Sequence, residues 1–423
     1  MSEALGMTIS PQIDVSQYKG LSHFTRRQVS VAPSNVSTYT SSASTGDIFF
    51  DLPSSSRSML NGEASFLTFT LDANGVAATT AASVANGNAA SVIRTLEETI
   101  QNQTINTCNN YNVYANMMYD LQSAGRQNQI CTMLNGAGSA HKTGASLGVA
   151  GAGYGTSIRV AIPLHSAVYG VGQSNFLPCI DGMRLRLGMA PTDEAITCTG
   201  AGCANYRITN ISLKLEYLDM SDAVYRQLLD EAAGVFKVAG TSAANFQSQT
   251  AAASTQSILI PARFSSVKSI LTAFRLSADV SSPALVNGVG GRCNPLVDNY
   301  TFSVDGRNIN PVPVIVNGGA GESVAEVQNC FNAVSSNQFE IAGDATTWLS
   351  TGSTQQGCFM LGLNFEEHSL SSQITSGVDT NSSNVYLNMN NTGAAGGYTV
   401  DTFAHYDTIL SIDAINGTLS LSK

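Results

Sequence analysis

The pentapeptide GASLG at 144–148 has the Gly-x-Ser-x-Gly form of a nucleophile elbow, where a strand-to-helix turn holds a serine hydroxyl exposed for attack. That geometry needs a helix after the serine. Here VAGAGYG follows, and a run so rich in glycine resists helix formation. Ser146 is therefore read as a loop serine. The segment NGAGSAHKTG resembles a phosphate-binding loop, but His141 stands where glycine must precede Lys142. GAGYGT at 151–156 stops short of a dinucleotide fingerprint because its last position is Thr156.

Metal or acid–base chemistry has few other candidates. The chain has five histidines and no HExxH. Asp401, His405 and Asp407 would share one face of a strand, but Phe403 shares it too, and a strand histidine hydrogen-bonded within the fold is the plainer reading. Glu366–Glu367 and Asp193–Glu194 are adjacent pairs whose side chains diverge on a strand, so neither forms a dyad locally. A carbohydrate-active jelly roll would need facing carboxylates and an aromatic platform, yet the chain has a single Trp, Trp348. No catalytic, cofactor-binding or metal residue is assigned, and no enzyme activity is expected.

Composition narrows the class. Charged residues make up 12% of the 423 and hydrophobic ones 43%, with 38 glycines. Such sparse charge suits a chain that hides much of its surface among copies of itself, or covers it with Ser, Thr and Asn. A net charge of −10 argues against a large nucleic-acid-binding face. No segment approaches 18 uninterrupted apolar residues, and MSEALGMTISPQIDVSQY has no basic region leading into an apolar run, so neither a membrane span nor a secretory signal is expected. The eight cysteines are scattered, and only Cys198 and Cys203 lie close, in CTGAGC. They are read as free thiols in a reducing compartment, with a Cys198–Cys203 disulfide left open.

Positioning elements centre on residues 206–275. In YRITNISLKLEYLDM, Ile211, Leu213, Leu215 and Tyr217 alternate with Ser212, Lys214 and Glu216, which predicts a half-buried strand. SDAVYRQLLDEAAG then takes helical spacing, with Ser221 as cap and Gly234 for the terminal left-handed turn. A polar stretch, Ala239–Ser257, precedes a second sheet region opening near Ile258. Before the hinge, strands are predicted at IFFDL, FLTFTL, SIRVAIPL and MRLRLGM, and a helix at NNYNVYANMMYDLQ; SVIRTLEETIQNQTI is ambiguous between strand and helix. After it, strands are predicted at ILTAFRL, YTFSV, QFEIA, FMLGLNF, VYLNM, YDTILSI and TLSLS, and a helix at GESVAEVQNCFNAV. Long connections at 72–90, 135–155, 191–204 and 281–294 are read as loops that contact something. The division is an N-terminal arm (1–45) outside the compact fold, a first β-sandwich with its closing helix (46–234) and a second (235–423).

Six segments, in this order, carry a resemblance. They are SVIRTLEETIQNQTINTCNNYNVYANMM (91–118), VAIPLHSAVYG with NFLPCIDGMRLRL (160–187), YRITNISLKLEYLDM (206–220), ILIPARFSSVKSILTAFR (258–275), SGVDTNSSNVYLNM (376–389) and VDTFAHYDTILSI (400–412). Together they resemble the double jelly-roll major capsid proteins of polinton-like viruses, adintoviruses, virophages and nucleo-cytoplasmic large DNA viruses. The resemblance implies an all-β fold of two tandem jelly-roll sandwiches with a few short helices in the connections. It also implies a structural protein of the virion, a homotrimer forming a pseudo-hexagonal, hexon-like capsomer that tiles an icosahedral shell assembled inside the host cell. The partners would be copies of the chain, neighbouring capsomers, and penton and minor capsid proteins, with no cofactor and no strong nucleic-acid binding; contact with an internal membrane stays open. Two alternatives stand beside it: a single-jelly-roll capsid protein with a projection, and an extracellular β-sandwich adhesin or surface-layer protein.

Overall fold

The computed structural model describes residues 24–41, 46–75, 81–84, 89–122, 125, 153–154, 157–167, 176–199, 203–280, 289, 291–332, 345–351, 357–366, 377–393, 397–413 and 417–423. Ser146, His141 and QFEIA lie outside them.

The first half contains strands β1 (Phe24–Val31), β2 (Asp47–Asp51), β3 (Ser58–Gly75), β4 (Ile93–Ile100), β5 (Gln103–Asn109), β6 (Ile158–Pro163), β7 (Phe176–Pro178), β8 (Met183–Met189) and β9 (Cys203–Met220). One sheet runs β1–β9–β3, with β6 and β7 both on the far edge of β3; the other runs β2–β8–β4–β5, and every pairing is antiparallel. The second half contains β10 (Val235–Gln249), β11 (Thr255–Ile260), β12 (Val267–Leu276), β13 (Val297–Val304), β14 (Val314–Ile315), β15 (Met360–Asn364), β16 (Val385–Asn391), β17 (Tyr398–Asp413) and β18 (Thr418–Ser422). Its sheets run β10–β17–β12–β15, with β18 beside the end of β17, and β11–β16–β13–β14. Counting β6 and β7, which share one edge of β3, as a single strand and setting β18 aside, in each half the strand order of one sheet is first, eighth, third, sixth, and of the other second, seventh, fourth, fifth. That is the jelly-roll order. The fold is a double jelly roll.

Alternation explains most of it. In β9, Leu213, Leu215 and Tyr217 are buried while Ser212, Lys214 and Glu216 are half-exposed. Earlier in the same strand the buried positions are Tyr206 and Ile208, of opposite parity. The change falls at Asn210, whose φ of 51° marks the bulge between Thr209 and Ser212. The ambiguous 91–105 segment is a hairpin. Gln101 and Asn102 both have positive φ (50° and 62°), the two-residue turn that matches strand twist. Helix α1 (Tyr111–Asp120) follows β5, and α2 (Asp222–Glu231) closes the first roll with Ser221 Oγ accepting from Val224 N at 3.5 Å. At the other end of α2, Ala233 joins Gly234 in the left-handed region (φ 49° and 80°).

Three expectations need correcting. Residues 24–41 are no free arm, because β1 pairs with β9 from Phe24↔Met220 to Val31↔Leu213 and Tyr39–Thr40 also pairs with β9. The second sheet region opens before Ile258, within the polar stretch after α2: β10 pairs with β17 over its whole length. β10 packs beside β5 of the first roll, and in its middle the small residues Ser242 and Ala243 are buried. The loops read at 72–90 and 191–204 hold a further antiparallel pair, Ala81–Val84 with Ile196–Thr199. Small residues hid these strands, since no apolar alternation marks them.

Free thiols are found at Cys108, Cys179, Cys293, Cys330 and Cys358, all buried; burial pushes the Cys179 thiol up to about 12. Cys203 departs from the expectation, being disulfide-bonded. It sits at the open end of β9, opposite Gly75. Cys131 and the Cys198 side chain lie outside the described residues.

Helix α3 (Gly321–Asn332) packs Val327 and Cys330 onto β15 at Gly362. A Cβ there would stand 2.8 Å from both Cys330 Sγ and Leu271 Cδ2. Gly362→Ala is therefore expected to cost about 1–3 kcal/mol of stability by overpacking. An unchanged thermal midpoint would show that the helix is not held against this strand.

Candidate functional site

The chemistry-bearing side chains converge on the seam between the rolls. Strand β17 is buried on both faces, because one side meets its own roll and the other meets α1 of the first roll. Every residue of α1 is buried. Its Tyr114 ring lies 5.2 Å from the Phe403 ring and 5.6 Å from the His405 ring, centroid to centroid. These contacts bury aromatic area between the sandwiches.

Polar groups bracket this aromatic contact. Asp401 is fully buried and accepts Arg275 Nη2 at 2.5 Å and Nε at 2.8 Å, Asn110 Nδ2 at 2.9 Å and Gln247 Nε2 at 3.1 Å. Asn110 belongs to the first roll and holds the left-handed turn that starts α1 (φ 49°). His405, also fully buried, bonds through Nδ1 to Ser269 Oγ at 2.9 Å and through Nε2 to Tyr114 Oη at 3.2 Å. Burial and the nearby Lys268 charge pull its pKa down to about 3, so the ring is neutral. At the far end of α1, Asp120 is paired with Arg292 of the second roll, both buried; burial lowers the guanidinium's pKa. Two more bonds cross between the rolls, Gln101 Nε2 to Gly417 O at 2.7 Å and Lys423 Nζ to Thr104 O at 2.9 Å.

The residues singled out from sequence fall into place accordingly. Asp401, His405 and Asp407 lie on one strand, but each is engaged separately: Asp407 accepts Ser266 Oγ at 2.5 Å and faces Lys268 Nζ at 3.7 Å. Glu366 lies 3.2 Å from the same Lys268. Among the described residues no group of His, Cys, Asp or Glu is arranged to hold a metal. Glu194 is partly buried near Arg94, and burial raises its pKa. Trp348 is buried and donates Nε1–H to Ser323 Oγ at 3.2 Å, so it is no exposed platform. Asn110, Tyr114, Asp120, Arg275 and Arg292 were not singled out, because their partners are remote in sequence. One local signal was a charged residue closing a largely apolar run, Arg275 in ILTAFR.

The outer faces of the β2–β8–β4–β5 and β11–β16–β13–β14 sheets differ in kind. The first carries exposed ion pairs, Arg184 with Asp51 at 2.6 Å and Arg186 with Glu97 at 2.6 Å and Asp47 at 3.0 Å. The second carries uncharged ladders across its strands. Thr255 Oγ1 donates to Asn390 Oδ1 (3.3 Å) and Asn390 Nδ2 to Asn299 Oδ1 (2.9 Å); Ser257 Oγ donates to Asn388 Oδ1 (2.7 Å) and Asn388 Nδ2 to Ser303 Oγ (2.9 Å).

The double jelly roll matches solved structures along nearly its whole length. The VP54 protein of PBCV-1, fitted into a cryo-electron-microscopy reconstruction of the virophage Sputnik, aligns with TM-score 0.61 at 11% identity, covering 95% of this chain and 97% of that one. The Faustovirus major capsid protein aligns at 0.55 and 7% identity, covering 97% and 92%. The mavirus major capsid protein aligns at 0.54 and 10% identity, covering 100% and 92%. At such identities the likeness establishes the fold. No sequence-family model matches the chain, and no curated protein matches it in sequence.

Proposed function

We propose that this chain is the major capsid protein of a virus, a structural subunit of the virion shell that acts through its surfaces and not through a catalytic centre. One observation carries the reading. Within the chain, the first roll covers the outer face of the second roll's β10–β17–β12–β15 sheet, leaving Asp401, Phe403 and His405 at 0% exposure. The equivalent face of the first roll, with Gln28, Ser212, Lys214 and Glu216 on β1 and β9, stays half-exposed or exposed. A head-to-tail contact with one end unfilled is completed by another copy, and repeated rotation closes a ring. Three copies would supply six sandwiches around one axis, the pseudo-hexagonal capsomer of the resemblance. The domain division that goes with it is two rolls, 24–234 and 235–423, joined at α2. The proteins with the same fold are capsid proteins by name, which supports the reading. Penton and minor capsid proteins would be further partners.

Sedimentation should give a mass three times the 44.2 kDa of the chain, and electron microscopy of concentrated material should show shells. Lys214→Glu, in the middle of the open face, is expected to leave folding unchanged within about 0.5 kcal/mol. It should shift the assembled species toward 44.2 kDa by setting like charges beside Glu216. A trimer of undiminished stability in this variant would remove the open face from the contact.

A further inference from the structure

The outer face of the β11–β16–β13–β14 sheet is a further surface that the chain leaves open. The four large hydrophobic residues exposed among the described residues all lie on its strands or close to their ends: Leu259 (48%), Leu296 (44%), Val312 (68%) and Ile315 (53%). Leu259 pairs across from Tyr386 at one corner, and Ile315 across from Asn299 at the opposite one. Between them run the two Ser/Thr/Asn ladders, whose cross-strand bonds already fix the side chains. Leu296 is held beside the face with φ 62°, a conformation uncommon for a bulky residue, its carbonyl accepting Thr392 N at 2.9 Å. No Lys, Arg, Asp or Glu stands in the ladder rows; Asp298 lies in the bulge at the margin, bonded to Asn299 Nδ2 at 3.1 Å, and Arg307 at the tip of the neighbouring hairpin.

We infer that this face is the site of a twofold, self-complementary contact with the same face of a second copy, resting on the shell reading above and naming the surface that joins one ring to the next. The argument is electrostatic. A twofold contact brings each residue near the axis against its own copy, so any charge there meets a like charge. On a chain of net charge −10 the first roll's ion-paired face would also have to desolvate its pairs. The second roll's face avoids both costs. Its ladder groups keep their mutual bonds when water leaves, and the corner apolar side chains and Tyr386 supply the area that gains from burial.

The test compares wild type, Leu259→Glu and Ile315→Glu with Arg184→Glu on the first roll, by concentration-dependent sedimentation velocity and electron microscopy. The two second-roll variants should keep the ring mass of wild type and lose association of rings, with at least a tenfold rise in the concentration needed for shells; Arg184→Glu should assemble as wild type does. Second-roll variants that assemble like wild type would overturn the inference and leave the ring intact. A wild type that makes dimers but no rings, with the dimers abolished by Leu259→Glu, would uphold this contact and overturn the ring. A wild type that stays monomeric at every concentration would overturn both.

Discussion

Asp401→Ala is expected to destabilise the folded chain by about 3–5 kcal/mol, the cost of leaving a buried charge without its partner. Arg275 is 3% exposed in side chain and cannot swing into water without opening the seam. The substitution also strips Asn110 and Gln247 of their acceptor, so bonds to both rolls fail together. Chemical denaturation should show the loss as a lower midpoint. A slope that falls as well would signal that the rolls no longer unfold as one unit. The double variant Asp401→Leu/Arg275→Met removes both charges and should recover most of the loss, since a well-packed apolar pair can replace a buried ion pair. If the single variant costs less than about 1 kcal/mol, the pair is not buried as described.

Acid is the second strong perturbation. His405 has its pKa lowered from 6.5 to about 3 by burial and by Lys268, so the native state holds it neutral while the unfolded chain protonates it near 6.5. The unfolded state then binds more protons between these values, and stability falls as pH drops from about 6.5 toward 3. The loss should be on the order of 2 kcal/mol at pH 5 and approach about 5 kcal/mol at the bottom of the window. Carboxylates held low by their partners, such as Asp51 beside Arg184 and Asp219 beside Arg27, respond only around and below their ordinary 3.8, so they do not mask the upper part of the window. Thermal midpoints measured from pH 7.5 to 4.5 should show the decline in wild type and a flatter profile in His405→Gln. Parallel profiles would mean that the histidine is reached by water.

These two residues show what the chain discloses before it is folded. The strand around Leu213 and Leu215 was legible because one face meets the core and the other meets water. The first strand, FTRRQVSV, was not: it lies at a sheet edge with Thr25 to Gln28 exposed, so no burial imposes a period. β10 was illegible for another reason: its middle, AGTSAAN, is made of small and polar residues, so the buried Ser242 and Ala243 show no apolar alternation. Asp401 and His405 could be seen as a group on one strand face. Their partners could not, since Asn110 and Tyr114 stand 291 residues away and only the docking of the rolls brings them near.

The order of the strands has a consequence for how the chain is made. β17, residues 398–413, lies between β10 and β12, and β9, residues 203–220, lies between β1 and β3. Each roll therefore emerges from synthesis with a gap in the middle of one sheet, two unpaired edges facing each other until a strand more than a hundred residues later arrives. At about 5–20 residues per second the gap in the second roll stays open for several seconds to tens of seconds. Open edges on many nascent copies are templates for pairing with the wrong chain. The yield of native subunits should therefore depend on the rate of translation and on chaperones more steeply than the equilibrium stability alone would suggest.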